Sequence, residues 1–221
     1  MSWNYHHVPF KMDTCSYLPP RFIQKGAWSG HRRFGYDLVR FAKPRKVVEL
    51  GTHFGTSFFT FCQAAKDGGL KTKCFALDTW AGDPHSGFYG DHVYQAVSRF
   101  TDEEYADIGI LVRGTFDQSL DKFEDDSIDL LHIDGFHTFQ AVLHDYTTWY
   151  RKLAKNGIIL FHDIFVRRRN FGVFVLWEGL KQYPYIEFQH SFGLGVLFPK
   201  GYDESFNEVF LKKAEFQKVY K

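Results

Sequence analysis

IDLLHIDGFHTFQAVLHDYTTWYRKLAKNGIILFHDI, residues 128–164, is the stretch that decides the fold. Two apolar runs flank a segment with helical spacing, which predicts a strand, a helix and a second strand of one parallel unit. The first run leads into Asp134 and His137, and the second ends in His162 and Asp163. The carboxyl ends of strands in an open parallel sheet face the ligand crevice. The sequence therefore predicts a site built from carboxylate and imidazole groups at this edge.

The rest of the chain continues the same alternation. Strands are predicted at 46–50, 73–78, 110–113, 128–133 and 158–161, and two antiparallel strands at 185–189 and 193–198. Helices are predicted at 31–41, 56–66, 92–100, 117–122, 138–153, 173–180 and 203–220, with a further helical turn from Thr101 and a long loop at 79–91. The pattern predicts an α/β fold with one mostly parallel sheet, covered on both faces, and a C-terminal antiparallel hairpin.

Composition limits the class of protein. The 221 residues carry a formal charge of +1 and no long basic stripe, which argues against a nucleic-acid partner. No apolar run is long enough to span a bilayer, and MSWNYHHVPF (1–10) lacks the basic and apolar pattern of a secretory signal, so we expect no membrane partner and a cytoplasmic location. The cysteines Cys15, Cys62 and Cys74 are scattered, as is typical of reduced thiols. The sequence does not determine the oligomeric state, and a homo-oligomer is one possibility.

Three parts of the chain are distinguished. Residues 1–45 are predicted to form an arm and a helix that pack on the core, 46–200 the main domain, and 201–221 a helical tail. Within the main domain, VVELGTHFGTSFF (47–59) places Gly51 and Gly55 in a turn between a strand and a helix. This spacing lacks the third glycine of a dinucleotide fingerprint, so it favours a nucleoside ligand without a pyrophosphate. A plain strand-to-helix turn is the alternative.

With Glu49 and Asp78 at the ends of the first two strands, the chain resembles class I S-adenosylmethionine-dependent methyltransferases, which have a Rossmann-like sheet. ELGTHFGTS is similar to their first motif, and Asp78 matches their ribose-binding acid. The resemblance makes 46–200 the catalytic domain and implies S-adenosyl-L-methionine as cofactor. The cofactor-binding residues that it implies are Glu49, Gly51, Thr52, Gly55, Asp78, Thr79, Phe116 and Asp134.

DTWAGDPHSGFYG, HIDGFHTFQAVLHD and NGIILFHDI resemble the metal-dependent sugar O-methyltransferases of the macrolide type and the related cephalosporin-hydroxylase-associated proteins. That resemblance implies Asp134 and Asp163 as metal ligands and His137 as general base. His162 stands where the family usually has Glu. Magnesium prefers oxygen ligands, whereas imidazole suits softer metals. Either His162 is not a ligand, or the metal is softer than magnesium, or metal binding has been lost.

The residues also support this chemistry without the family. A divalent metal lowers the pKa of a bound hydroxyl, and a nearby histidine can take its proton near neutral pH. His85 or Asp83, in the loop after the second strand, is an alternative base or acceptor contact. Alternatively, Asp134 caps the helix that follows it and His137 is an ordinary surface residue. His144 and Asp145 are expected to be solvated or supporting residues.

The favoured function is methyl transfer to a hydroxyl of a small molecule, a sugar or glycosylated metabolite, with metal-assisted deprotonation. A non-catalytic subunit of a biosynthetic complex is the alternative, because of His162. A nicotinamide-dependent dehydrogenase is disfavoured by the missing glycine. The run Arg167–Arg169 could bind an anionic acceptor, although such a run is more commonly a solvated loop.

Overall fold

The computed structural model describes residues 2–6, 26–168 and 170–220. One seven-stranded sheet runs through the molecule, and a short two-stranded ladder lies in the loop after its second strand. The strands are β1 (Lys46–Leu50), β2 (Lys73–Asp78), β3 (Gly82–Asp83), β4 (Gly87–Phe88), β5 (Gly109–Arg113), β6 (Ile128–Ile133), β7 (Leu153–His162), β8 (Tyr185–Phe188) and β9 (Leu194–Leu197).

The order of the main sheet is β5-β2-β1-β6-β7-β9-β8. The first five of these strands are parallel, and β9 is antiparallel to both β7 and β8. The predicted mostly parallel sheet with a C-terminal antiparallel hairpin is therefore confirmed. The chain moves outward from β1 in one direction and then from β6 in the other, so the strand order reverses between these two central strands. Ligand crevices of open α/β sheets lie at such a reversal.

Helices cover both faces of the sheet. They are α1 (Arg32–Ala42), α2 (Thr56–Asp67), α3 (His92–Glu104), α4 (Phe116–Ser119), α5 (Phe139–Trp149), α6 (Val173–Leu180), α7 (Asn207–Leu211) and α8 (Lys213–Val219). Buried aromatic side chains dominate the packing: Phe34, Phe59 and Phe61 lie on one face of the sheet, and Trp149 and Trp177 on the other. The dense aromatic content of the sequence thus fills two separate cores.

Several boundaries differ from the predictions, and three of the differences have a clear structural description. The Thr101 hydroxyl donates to the Val97 carbonyl at 2.8 Å, so Thr101 continues α3 and does not begin a new helical turn. β7 begins at Leu153, well before the predicted start of that strand, and includes Asn156 with a left-handed φ of 59°. The tail forms two helices because the backbone at Lys212 (φ −107°, ψ 27°) leaves the helical region.

The terminal segments pack together. Trp3 packs among the aromatic rings of Phe41 and Phe216, and its indole N–H donates to the Tyr220 hydroxyl at 2.6 Å. Most of the predicted N-terminal arm, including Cys15, lies outside the described residues, while Cys62 and Cys74 are buried free thiols. Among the described helices, none combines the length and apolar character needed to cross a bilayer.

Candidate active site

The predicted cofactor turn and the predicted metal residues meet at the carboxyl ends of β1 and β6. The Asp134 N–H donates to the Leu50 carbonyl at 2.9 Å, which extends the contact between the two strands. Gly51 has a φ of +90°, and a Cβ on it would lie 2.2 Å from the Asp134 carbonyl oxygen. Only glycine allows this approach. The two halves of the predicted crevice are therefore in direct backbone contact.

Asp78 fixes the glycine turn. Its Oδ2 accepts from the backbone N–H groups of Thr52 and His53, each at 2.9 Å, and its Oδ1 accepts from Trp80 at 2.7 Å. Carboxylate oxygens have further lone pairs, so these bonds leave acceptor capacity for a ligand hydroxyl. The Thr52 hydroxyl is buried and has no partner among the described residues. The turn is thus prepared for a polar ligand.

Backbone strain is concentrated at the same edge. His53, Trp80 and Asp163 follow β1, β2 and β7, and their φ angles are 50°, 52° and 62°. Left-handed conformations are costly for residues other than glycine and are commonest at functional sites. These backbone conformations set the direction of the side chains that follow each strand. The sequence pattern did not indicate them.

Glu49 is completely buried behind the glycine turn. His132, its neighbour on β6, accepts at Nε2 from the Trp28 indole N–H at 3.0 Å. Since indole can only donate, Nδ1 of His132 carries the hydrogen and donates to Glu49 Oε2 at 2.8 Å. Burial raises the pKa of Glu49, and hydrogen bonds from His132 and Ser57 oppose that rise. Glu49 supports the turn from inside the core, and direct contact with a cofactor stays a prediction.

Four predicted residues form one cluster of acid and imidazole. His137 Nε2 lies 2.8 Å from Asp163 Oδ2 and 3.5 Å from Asp134 Oδ1. His162 Nδ1 lies 3.3 Å from Asp134 Oδ1 and 3.5 Å from Asp163 Oδ2. Helix α5 is capped by the Thr138 hydroxyl, which accepts from Ala141 N–H. Asp134 is therefore available to the cluster and does not cap the helix.

Each charge in the cluster stabilises its partners. Burial alone lowers the pKa of a histidine, but the facing carboxylates outweigh it and raise the pKa of His137 to about 9 and that of His162 to about 10. Burial raises the pKa of both carboxyls, but the histidines outweigh it and hold the pKa of Asp134 and Asp163 below the ordinary range. Without a further cation, His137 is protonated at neutral pH.

The cluster also fits a divalent cation. One candidate ligand atom from each of Asp134, His162 and Asp163 lies within 4.8 Å of the others. Asp163 Oδ1 is buried and has no hydrogen-bond partner among the described residues. His162 Nε2 lies 3.1 Å from the Ser191 carbonyl, an arrangement typical of a metal-binding histidine whose second nitrogen is fixed by an acceptor. The donor set has two carboxylates and one imidazole.

The loop at 79–91 folds over this cluster. His85 Nδ1 lies 3.4 Å from His137 Nδ1, and its Nε2 lies 2.6 Å from Asn170 Oδ1. The Phe171 ring stacks on His85 at 4.3 Å and on His137 at 4.9 Å. Asp83 is engaged in its own turn, where it accepts from the N–H groups and hydroxyl of the residues that follow. Both candidate bases therefore share one wall of the crevice.

Other predicted residues lie around this centre. The Phe116 ring packs against Gly135, where an added Cβ would lie 2.6 Å from its Cε2. Gly55 takes a left-handed φ of 81° before α2, and Thr79 is exposed at the end of β2. Asp145 was expected to be solvated or supporting, but it is buried, and burial raises its pKa to about 7. These residues lie around the crevice, and their contacts with a ligand stay predictions.

Sequence reasoning missed three contributors. Ser191 contributes only its carbonyl, and Phe171 and His132 contribute contacts made across the fold. His132 carried a weak signal, a polar residue inside an apolar strand, but its pairing with Glu49 depends on the strand register. Of the arginine run, Arg167 and Arg168 are exposed beside the crevice, and Arg169 lies outside the described residues.

Comparison with known proteins agrees with this architecture. A family model described as a methyltransferase domain matches residues 48–164. An uncharacterised protein of Sinorhizobium fredii, y4gI, is 45% identical over 181 residues, which are 81% of this chain and 20% of that protein. The chain thus spans about a fifth of that relative's length.

Two solved structures share the fold at low sequence identity. The O-methyltransferase from Bacillus cereus in complex with SAH superposes with a TM-score of 0.58 at 16% identity, covering 86% of this chain and 92% of that chain. TomG from Streptomyces achromogenes, an O-methyltransferase involved in tomaymycin synthesis and solved with SAM, gives 0.55 at 14% identity, covering 79% and 88%. At this identity the likeness concerns the fold.

Proposed function

Because the chain belongs to the family of methyltransferase domains, which confirms the predicted family, we propose that it transfers a methyl group from S-adenosylmethionine to a hydroxyl of a small molecule. One observation carries the choice of acceptor: Asp134, His162 and Asp163 bring ligand atoms within 4.8 Å of one another beside the glycine turn. Such a donor set suits a metal that holds an acceptor oxygen.

Different residues of the chain are proposed to bind the cofactor, hold the metal and take the proton. S-adenosylmethionine supplies an electrophilic methyl group, and the turn held by Asp78 binds and orients it. Asp134, His162 and Asp163 would hold a divalent metal, whose chemistry is to lower the pKa of the acceptor hydroxyl. His137 takes the hydroxyl proton as the new carbon–oxygen bond forms and the carbon–sulfur bond breaks. That role requires the charge of the two carboxylates to be offset, because they otherwise hold the imidazole protonated.

The acceptor is proposed to be a sugar or a glycosylated metabolite. The support is the resemblance of the 79–91 loop and the 128–164 stretch to sugar O-methyltransferases, together with the ring wall of His85 and Phe171 beside polar groups. A crevice of aromatic faces and a few fixed polar groups suits a compact polyhydroxylated ligand. The metal is proposed to be softer than magnesium, since one of its ligands is an imidazole.

Calorimetry with S-adenosylmethionine, followed by transfer of its labelled methyl group to a panel of sugars, tests the proposal. Binding is expected to give measurable heat that Asp78→Ala largely abolishes, and transfer is expected to stop after exhaustive chelation. A protein that gives no heat at about millimolar ligand is not a methyltransferase of this kind. If transfer continues after chelation, the proposed metal requirement is wrong, whereas the methyltransferase function still holds.

A further inference from the structure

Arg168 is a charged side chain at the mouth of the crevice that the proposed reaction does not use. It lies in the segment between β7 and α6 and is exposed. Its guanidinium carbon lies 5.1 Å from the centre of the Phe192 ring and 5.9 Å from that of Phe171. Cation–π contacts hold the guanidinium against these rings but do not use its N–H donors as hydrogen bonds do.

Other arginines around the crevice are engaged. Arg113 forms an ion pair with Asp91 at 2.6 Å. Arg167 donates to the Ile164 carbonyl at 3.0 Å, and its guanidinium lies 4.0 Å from the centre of the Phe174 ring. By contrast, the Arg168 guanidinium has neither an ion pair nor a hydrogen bond to any residue in 2–6, 26–168 or 170–220.

The rings beneath Arg168 are part of the candidate site. Phe171 stacks on the imidazole of His137, with the two planes 9° apart. Phe192 follows Ser191, whose carbonyl is bonded to His162, and the Phe192 carbonyl accepts from Phe165 N–H at 2.9 Å. The Phe171 ring therefore contacts both the Arg168 guanidinium and the imidazole of the candidate base. The Phe171 and Phe192 rings are thus held next to the residues that orient His137 and His162.

Carboxylates near the crevice have partners of their own. Asp134 and Asp163 face the histidines of the cluster, and Asp83 is bonded within its turn. An acceptor at Arg168 thus meets a cation with unused planar donors, and no carboxylate among the described residues is ion-paired with it. A guanidinium fork matches the two oxygens of a carboxylate or phosphate.

We propose that the acceptor carries an anionic group, a phosphate or a carboxylate, which Arg168 binds while the reacting hydroxyl lies at the cluster. This inference rests on the proposed function, and it narrows the substrate class to acidic or phosphorylated sugars. Arg168 acts as a specificity determinant: it places the acceptor and takes no part in proton or methyl transfer.

Equilibrium binding tests this proposal independently of turnover. Wild-type protein with bound S-adenosylhomocysteine is titrated with glucose, glucose 1-phosphate and glucuronate, and binding is followed by ligand-observed NMR. At least one of the two anions is expected to bind roughly tenfold more tightly than glucose, or better. A preference for glucose 1-phosphate alone identifies a phosphate group, and a preference for glucuronate alone identifies a carboxylate.

Substitutions at Arg168 and Arg167 distinguish direct binding of the anion by Arg168 from a general attraction by positive charge near the crevice. Arg168→Gln is expected to abolish the anion preference while glucose binds as before, and Arg168→Lys to retain part of it, because charge remains without the planar fork. Arg167→Gln, which removes an adjacent charge that is already engaged, is expected to keep the preference. Equal wild-type affinity for all three sugars, or equal losses in Arg167→Gln and Arg168→Gln, overturns the proposal. Absence of cofactor heat contradicts the methyltransferase function instead.

Discussion

The imidazole Nε2 of His162 lies 3.1 Å from the carbonyl oxygen of Ser191. A carbonyl can only accept, so Nε2 carries a hydrogen and Nδ1 is the nitrogen presented to Asp134 and Asp163. The orientation of His162 is therefore set by the β8–β9 turn, in which Ser191 itself has a left-handed φ of 50°. A cation that displaces the proton from Nδ1 therefore finds His162 already oriented as a nitrogen ligand between the carboxylates.

His162→Glu is the first test of that arrangement. The wild-type protein is expected to bind Mn²⁺ or Co²⁺ more tightly than Mg²⁺, and the variant to lose much of that difference, because a carboxylate replaces the imidazole. Competition calorimetry measures both affinities. A third buried carboxylate should also lower the melting temperature of the metal-free variant, and added metal should restore it. Unchanged metal preference in the variant would show that His162 is not a ligand.

Asp78→Ala is expected to affect both stability and cofactor affinity. The substitution leaves three backbone N–H groups without their charged acceptor, so the free energy of unfolding should fall by about 2–4 kcal/mol. Urea denaturation gives this value, and calorimetry gives the cofactor affinity. Asp203→Ala is the matched control, since this exposed carboxylate also accepts a backbone N–H, from Ser205 at 2.9 Å. Wild-type stability in Asp78→Ala would contradict a structural role for the carboxylate.

His137 and His85 are distinguished as bases by their pH profiles. His137→Ala is expected to lower kcat by roughly 10²–10⁴ and to remove the acidic limb of the profile. His85→Ala should have a smaller effect, because His85 reaches the cluster through His137 Nδ1. The pKa of His137 is raised to about 9 in the free cluster, so added metal should move the acidic limb to lower pH. A profile that changes only in His85→Ala would transfer the role to that residue.

Asp145 gives a prediction on stability. Burial raises its pKa to about 7, so between about pH 4 and pH 7 the folded state keeps a proton that the unfolded state has lost. Stability therefore falls as pH rises through this range and is constant above it. Asp145→Asn should be more stable than wild type at about pH 8, by roughly 2–4 kcal/mol, and the gain should vanish near pH 4. Asp102→Asn, at an exposed position of α3, is the control. A gain in stability of Asp145→Asn that is the same at all pH values would contradict the raised pKa of Asp145.

The fold was predictable because its signals are local. Apolar runs such as 128–133 and the glycines at Gly51 and Gly55 depend on neighbours in sequence, and the sheet follows from their alternation. The strand ends also indicated which acids and histidines share one edge. Errors arose where a side chain had two local options: Thr101 has the pattern of a helix cap but bonds back to Val97 within α3.

The finer construction of the site was not predictable. The bond from His162 to Ser191 joins elements far apart in the chain, and the partner atom is a backbone carbonyl that any residue would supply. Likewise, the packing of Phe171 on His137 depends on the path of the segment after β7. Burial of Asp145 follows from the way α5 lies on the sheet, which its own helical pattern did not reveal.

A crystal structure of the protein with Mn²⁺ and S-adenosylhomocysteine would show whether the cluster and the glycine turn form one active site. We expect an anomalous peak for manganese in contact with Asp134, His162 and Asp163, beside a nucleoside bound at the turn that Asp78 holds. A nucleoside bound there, with manganese absent from the cluster or bound elsewhere, would contradict the claim that the two halves of the crevice form one metal-dependent active site.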